Sequence, residues 1–315
     1  MADAKITGTW FEFVHHNQAE GKYWNDAIVN FTEAQWRRKI QEMAAAGIDT
    51  VVLMSVALDF KCFYKSRIFR EYKIRCDNVL DVVLDEADAA GLSFFVGNGF
   101  WGRWDDFSTA SDEQANARRP DGIVELLDKF GRHESFVGWY WPDEAEINPL
   151  FSPSFIDYVN RQSAVARELD ASKKTLIAPY GTNKVRDGDL EFVRQLRNID
   201  VDIIAYQDEV GVRKTGIERL ESIWGVISRA HSQAPRIRLW ADVEIFDFEG
   251  EVYKSALAPA ELERISFQIE TAARHVEKVL VYQYQGMLNP ASSPALCGHP
   301  RSTDLYAGLA GKYIK

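Results

Sequence analysis

With 315 residues, 46% of them hydrophobic, the chain has apolar material for one large core. Acidic residues outnumber basic ones 47 to 37, and the net charge of −10 argues against nucleic acid as a partner and favours a neutral ligand over a polyanion. No run of about 18 apolar residues is present, so no membrane helix is expected. Cys62, Cys76 and Cys297 are odd in number and lack metal-ligand spacing, which excludes a disulfide framework. The start Met-Ala-Asp-Ala-Lys has neither the charged nor the apolar region of a secretory signal, and a cytoplasmic location is the expectation.

In chain order, Lys5–Val14 is a β-branched and aromatic run and predicts strand 1. Thr32 is a good cap for a helix over Glu33–Ala46, closed by Gly47. Strand 2 is predicted at Ile48–Met54, then a long loop, Ser55–Arg75. Asp77 is expected to cap a second helix running to Ala90, with Gly91 after it, and Leu92–Val96 is strand 3. A further loop, Phe100–Arg119, precedes a helix at Pro120–Phe130, with the proline in its first turn. The run Phe136-Val-Gly-Trp-Tyr-Trp-Pro-Asp-Glu144 supplies strand 4 and ends in two acids. Then come helix Ser154–Leu169, strand Lys174–Pro179, helix Asp187–Arg197 and strand Val201–Tyr206. Helix Gly216–His231, strand Arg236–Val243, helix Pro259–His275, strand Lys278–Tyr282 and a helix from Ser302 complete the order.

Eight strand–helix alternations imply a parallel sheet, and eight units favour a single closed (β/α)8 TIM barrel over an open sheet. No glycine-rich phosphate loop follows strand 1, and no cofactor is expected.

In such a barrel, function gathers at the C-terminal strand ends. The polar groups there are Glu12 and His15 (strand 1), Asn98 (strand 3), Asp143 and Glu144 (strand 4), Tyr180 (strand 5), Tyr206, Gln207 and Asp208 (strand 6), Trp240 and Glu244 (strand 7) and Tyr282 (strand 8). Pleat alternation on strand 7 puts Ile237, Leu239, Ala241 and Val243 against helices. Arg238, Trp240, Asp242 and Glu244 then point into the barrel. By the same rule Trp10 and Glu12 point inward on strand 1, where a salt bridge from Glu12 to Arg238 is the plain structural alternative. His15 and His16 are neighbours on an extended chain, so they are expected to point in opposite directions, which disfavours a shared metal ion.

Two rim carboxylates among aromatic residues suit glycoside hydrolysis, with one acid protonating the leaving oxygen and the other acting as nucleophile or base. Glu144, beside an aromatic run and Asp143, is the expected acid. Glu244 is the expected nucleophile or base, and Asp208 is its rival. Trp101, Trp240, Tyr206 and Tyr282 are candidate sugar platforms, with Trp104 beside them. Asn98, Tyr180 and Gln207 are candidate hydroxyl ligands. Two other readings stay open: a metal-dependent sugar isomerase or epimerase holding its ion through Glu144, Asp208, Glu244 and a histidine, and a non-catalytic carbohydrate-binding barrel.

Gly138-Trp-Tyr-Trp-Pro-Asp-Glu144, Tyr206-Gln-Asp-Glu-Val-Gly211 and Leu239-Trp-Ala-Asp-Val-Glu244, in that order, resemble a glycoside-hydrolase-like TIM-barrel family long filed as a domain of unknown function. That family is similar to clan A glycosidases. The resemblance implies that the two catalytic glutamates fall at the ends of strands 4 and 7, at Glu144 and Glu244. It departs at Asp143, where the clan A pattern has an asparagine that binds the sugar 2-hydroxyl.

Overall fold

The structure is a computed structural model that describes residues 4–104 and 113–315. Part of the loop expected over Phe100–Arg119 lies outside the described residues. Eight parallel strands close into a barrel: β1 Ile6–Phe11, β2 Thr50–Leu53, β3 Ser93–Gly97, β4 Phe136–Tyr140, β5 Lys174–Ile177, β6 Ile203–Gln207, β7 Arg238–Glu244 and β8 Lys278–Tyr282. Around the ring each strand pairs with its neighbour in sequence, and β8 closes on β1. The connecting helices are α1 Glu33–Ala45, α2 Val79–Ala90, α3 Glu113–Phe130, α4 Pro153–Leu169, α5 Leu190–Asn198, α6 Leu220–Ser232 and α7 Leu262–Ala272, with α8 Ser302–Leu309 after β8. Among the described residues no helix is long and apolar enough to cross a membrane.

Local chemistry explains most boundaries. Thr32 accepts from the Gln35 amide while the Gln35 side chain accepts from the Thr32 amide, a reciprocal cap that starts α1. Gly91, at φ +67°, ends α2 in the left-handed conformation that a β-carbon disfavours. Three expectations are corrected. Asn78, not Asp77, precedes α2, and its side chain makes no cap bond. α3 starts at Glu113, so Pro120 lies inside the helix rather than in its first turn. Pro259 is not helical but pairs with Phe246 in a two-stranded antiparallel sheet that rises from the end of β7.

The pleat divides the core in two. Trp10, Val52, Phe95, Tyr140, Leu176, Ile203, Ala205, Trp240 and Leu280 fill the barrel interior. Their sequence neighbours, including Phe11, Val51, Phe94, Trp139, Ile177, Ile204, Leu239 and Val281, pack under the helices. On β4 this separates the aromatic triplet. Tyr140 points inward, while Trp139 and Trp141 stack in the helix layer with centroids 5.9 Å apart, and the Trp141 indole donates to Ser163 at 3.1 Å.

Gly138 lies where β4 meets β5 and the Phe95 ring. A β-carbon there would come within 2.5 Å of the Lys174 carbonyl oxygen and 2.6 Å of Phe95 Cε1. Just past β4, Asp143 turns away from the barrel mouth. Its Oδ2 accepts from Arg119 Nη2 at 2.6 Å, with the two side chains 3% and 1% exposed, and the guanidinium lies 4.8 Å from the Tyr158 ring. Asp143 is therefore corrected from a sugar ligand to half of a buried ion pair between β4 and the helix layer.

Two stability effects are expected. Gly138→Ala should lower stability by about 1–3 kcal/mol, because the clash is with backbone and a packed ring; thermal melting measures it. Arg119→Met should lower it by about 3–5 kcal/mol by leaving a buried carboxylate unpaired, and Asp143→Asn added to Arg119→Met should recover part of that loss in chemical denaturation.

Candidate active site

The inward face at the C-terminal end of the barrel brings together Glu12 after β1, Tyr140 and Glu144 at β4, Gln207 on β6, Asp242 and Glu244 on β7, and Tyr282 on β8. Trp10 carries their aromatic floor. Its ring centroid lies 4.7 Å from that of Tyr140 and 6.5 Å from that of Tyr282. β4 and β7 are not diametrically opposed, since β5 and β6 stand between them on one side of the ring.

Glu144 follows Pro142 outside the strand and is exposed at the mouth. The Tyr140 hydroxyl donates to its Oε1 at 3.2 Å. Enclosure by the cleft walls pushes its carboxyl up to about 7, against the pull of hydrogen bonds from Gln207 and Tyr140 and of the Lys214 charge. Its open side, in contact with water, tempers that push.

Glu244 is only 4% exposed and is held on every side. Its Oε2 accepts from the Val212 amide at 2.8 Å. Its carbonyl accepts from Arg264 at 3.0 Å and from Gln268 at 3.1 Å, and its amide donates to Asp208 Oδ1 at 3.3 Å. The loop carrying Val212 can approach this closely because Gly211 has no side chain: a β-carbon there would lie 2.7 Å from the Phe246 carbonyl oxygen and 3.0 Å from Glu244 Cβ. Burial raises the Glu244 carboxyl well above its ordinary range, and Asp208 and Asp242 add to the effect. Asp242, buried beneath Glu244, is raised in the same way, chiefly by burial and then by Asp208 and Glu144.

Asp208 occupies the helix side of β6. Its Oδ2 accepts from Gln268 of α7 at 2.7 Å, and its Oδ1 accepts from the Val210 and Glu244 amides. This geometry makes it a brace for Glu244 and turns it away from the mouth. Tyr206 lies on the same side, bonded to His231 at 2.9 Å, so it offers no face to a ligand. Only Gln207 of that triplet points inward. The alternation rule that orients β1 and β7 also separates these three residues, because Ile203 and Ala205 pack inside while Ile204 packs outside.

At the end of β1, Glu12 and Glu20 grip His15. Nδ1 lies 2.9 Å from Glu12 and Nε2 lies 3.1 Å from Glu20. Burial opposes the imidazolium charge, but Glu12 and the two hydrogen bonds outweigh it and raise His15 to about 9. Both ring nitrogens then donate at neutral pH. Glu12 also accepts from Trp24 at 2.8 Å and from Gln283 at 2.9 Å. Arg238, expected as its alternative partner, instead pairs with Glu277 at 2.7 Å at the other end of β7. The histidines do not diverge either: their ring centroids are 4.6 Å apart. Glu12, His15 and His16 present atoms at mutual distances that could hold a metal ion. A doubly hydrogen-bonded imidazolium is a poor ligand until it loses a proton. Among the described residues, Glu144, Asp208 and Glu244 form no such group, so the ligand set of the isomerase reading is not assembled.

The remaining candidates divide by burial. Asn98 and Trp101 are fully buried and bond each other at 2.9 Å. Asn98 also donates to the Arg119 carbonyl, and the Trp101 ring lies against Phe69 at 4.1 Å. They brace the loop after β3 and present no sugar platform. Trp240 fills the barrel interior below Asp242, in edge contact with Phe95. Tyr180 does reach the mouth, where Lys214 Nζ stands 4.7 Å from its ring centroid. Tyr140, Asp242, Lys214 and Tyr253 were absent from the candidate set. Pleat alternation was enough to find the first two.

Several solved structures share the fold. A Bacteroides thetaiotaomicron protein crystallised as a candidate alpha-L-fucosidase is 20% identical, with a TM-score of 0.76 over 97% of this chain and 92% of its own. The endo-1,4-beta-mannanase of Rhizomucor miehei is 9% identical, with a TM-score of 0.57 over 96% and 93%. An intracellular xylanase from Thermoanaerobacterium saccharolyticum is 10% identical, with a TM-score of 0.51 over 88% and 93%. No curated protein matches the sequence. The chain is a (β/α)8 barrel whose residues 6–295 match a family described as a domain of unknown function, DUF4434, and it belongs to that family.

Proposed function

We propose that this protein is a glycoside hydrolase acting on a short oligosaccharide or glycoside, with Glu144 as general acid and Glu244 as its partner carboxylate. One observation carries the reading: at the rim of one barrel, a water-facing carboxyl with its proton held near neutral pH accompanies a second carboxyl fixed rigidly by backbone and side-chain bonds. Glu144 donates its proton to the glycosidic oxygen as the C–O bond breaks. The Tyr140 hydroxyl keeps the carboxyl aimed. Positive charge then grows at the anomeric carbon. Glu244 acts in its ionised form, its proton having passed to water before the sugar binds, and as a carboxylate it stabilises the cation and serves as nucleophile or as base for water. Tyr282, partly exposed and packed on the buried Trp10, gives the reacting sugar an apolar face. The long loop after β2 suits a mouth closed on one side, and so short substrates or chain ends. Asp208 serves by holding the backbone of Glu244.

A panel of glycosides, followed by analysis of the product anomer, tests the activity. Glu144→Gln and Glu244→Gln should each lower turnover by about 100- to 10,000-fold with melting temperature little changed; full activity in either variant refutes the pair. The acid must carry its proton and Glu244 must have lost its own, so kcat/KM should be bell-shaped, falling on the alkaline side as Glu144 ionises near pH 7 and on the acid side as Glu244, raised above the ordinary carboxylate range, takes up its proton. A wild-type profile flat from pH 6 to 9 would remove Glu144 from the role.

A further inference from the structure

The outer wall of the mouth is built from two loops, one of which also holds Glu244 through the Val212 amide. The loop after β6 carries Lys214, and the loop after the short strand Phe246–Phe248 carries Tyr253. Lys214 Nζ lies 4.7 Å from the Tyr180 ring centroid and 5.8 Å from that of Tyr253. Tyr180 stands near Glu144, and Tyr253 near Glu244 and Glu20, so the three side chains span the outer side of both carboxylates. Tyr253 is 49% exposed, unusual for so large a ring fixed in place.

The backbone here is held in a costly shape. Glu209 (φ 56°), Arg213 (φ 59°) and Tyr253 (φ 64°) are non-glycine residues in the left-handed region. Such residues persist only where their surroundings over-determine them. Those surroundings are explicit. Glu209 Oε2 accepts from the Gly181 and Thr182 amides at 2.8 and 3.1 Å. Arg213 donates to the Phe248 and Gly250 carbonyls, tying one loop to the other. Asn17 donates to the Tyr253 carbonyl at 2.8 Å. Hydrogen bonds and strain thus hold a half-exposed ring, a lysine and a second ring in fixed relation beside the acid.

We propose that Tyr180, Lys214 and Tyr253 form the binding subsite for the leaving group, and that this group is a neutral sugar ring. The inference rests on the hydrolase reading for its chemistry. The leaving group must lie on the acid's outer side, since the inner side, towards Tyr282, takes the reacting sugar. Two tyrosine faces suit the apolar face of a pyranose, and an ammonium between them donates to ring hydroxyls. The charge balance selects a neutral ring. Glu209 stands 3.9 Å from Lys214 and answers its charge, and Lys184 pairs with Glu146. A sulfated or carboxylated ring would find both lysines already paired with carboxylates.

The test compares the disaccharide that the panel shows to be cleaved with the glycosyl fluoride of the same reacting sugar, whose leaving group is a single ion that spans no rim. Tyr253→Ala and Lys214→Met should each lower the disaccharide-to-fluoride ratio of kcat/KM by about tenfold or more. An unmoved ratio, or faster cleavage of sulfated or uronate disaccharides than of neutral ones, overturns the proposal. If wild type cleaves no glycoside, the hydrolase reading fails by itself. The rim is then read by saturation-transfer NMR with cellobiose, mannobiose, xylobiose and lactose. A signal in wild type that weakens in Tyr253→Ala upholds the subsite. No signal, or one that survives the substitution, refutes it. Unchanged melting temperatures establish that both variants fold.

Discussion

A carboxyl buried at the end of a strand has to be fixed by its surroundings, and the top of this barrel is arranged around that requirement at Glu244, whose carboxyl takes one amide while its main chain takes the remaining bonds. The Val212 amide takes its side chain, while Arg264 and Gln268 of α7 take its carbonyl. Asp208, itself bonded to Gln268, takes its amide. The Val212 contact depends on Gly211, because any side chain there would push the loop off Glu244. A single missing β-carbon on one loop thus sets the position of a carboxyl on the neighbouring strand. The same loop continues to Lys214, so the element that fixes Glu244 also builds the outer wall of the mouth.

Negative charge is concentrated at this end of the barrel, and it is compensated in three ways. Asp143 is neutralised directly by Arg119, deep in the helix layer. Glu12 and Glu20 enclose an imidazolium, which burial alone would have left neutral. Asp242 and Glu244 form no ion pair among the described residues, and burial raises both carboxyls above their ordinary range. Glu144 falls between these cases: half in the cleft and half in water, it titrates near neutrality. Position relative to solvent, more than residue type, therefore separates the roles of four neighbouring acids.

The strand–helix order and the parity of β1 and β7 were legible in the sequence, because a barrel strand buried on both faces still sorts its polar residues to one side. Asp242 and Glu244 stand out against Leu239, Ala241 and Val243 on that ground alone. The parity of β6 is equally legible: Ile203, Ala205 and Gln207 share the inner face, while Ile204, Tyr206 and Asp208 face the helices. Asn98, Trp101 and Asp143 differ in kind. Each sits where a ligand contact would be expected, and each is engaged by a partner from a distant segment: Arg119 for Asn98 and Asp143, Phe69 for Trp101. No local pattern encodes such a pairing.

Sequence by itself determined the architecture, the rim location of Glu144 and Glu244, and the acidic character of the mouth. These follow from periodicity and composition, which are properties of neighbours along the chain. Tertiary structure decided which polar groups face the mouth and which are consumed in holding it together. It also decided that His15 is a cation, that Glu144 keeps its proton near neutral pH, and that Lys214 stands between two tyrosine rings. Those outcomes depend on burial and on partners from other strands, and both exist only once the barrel has closed.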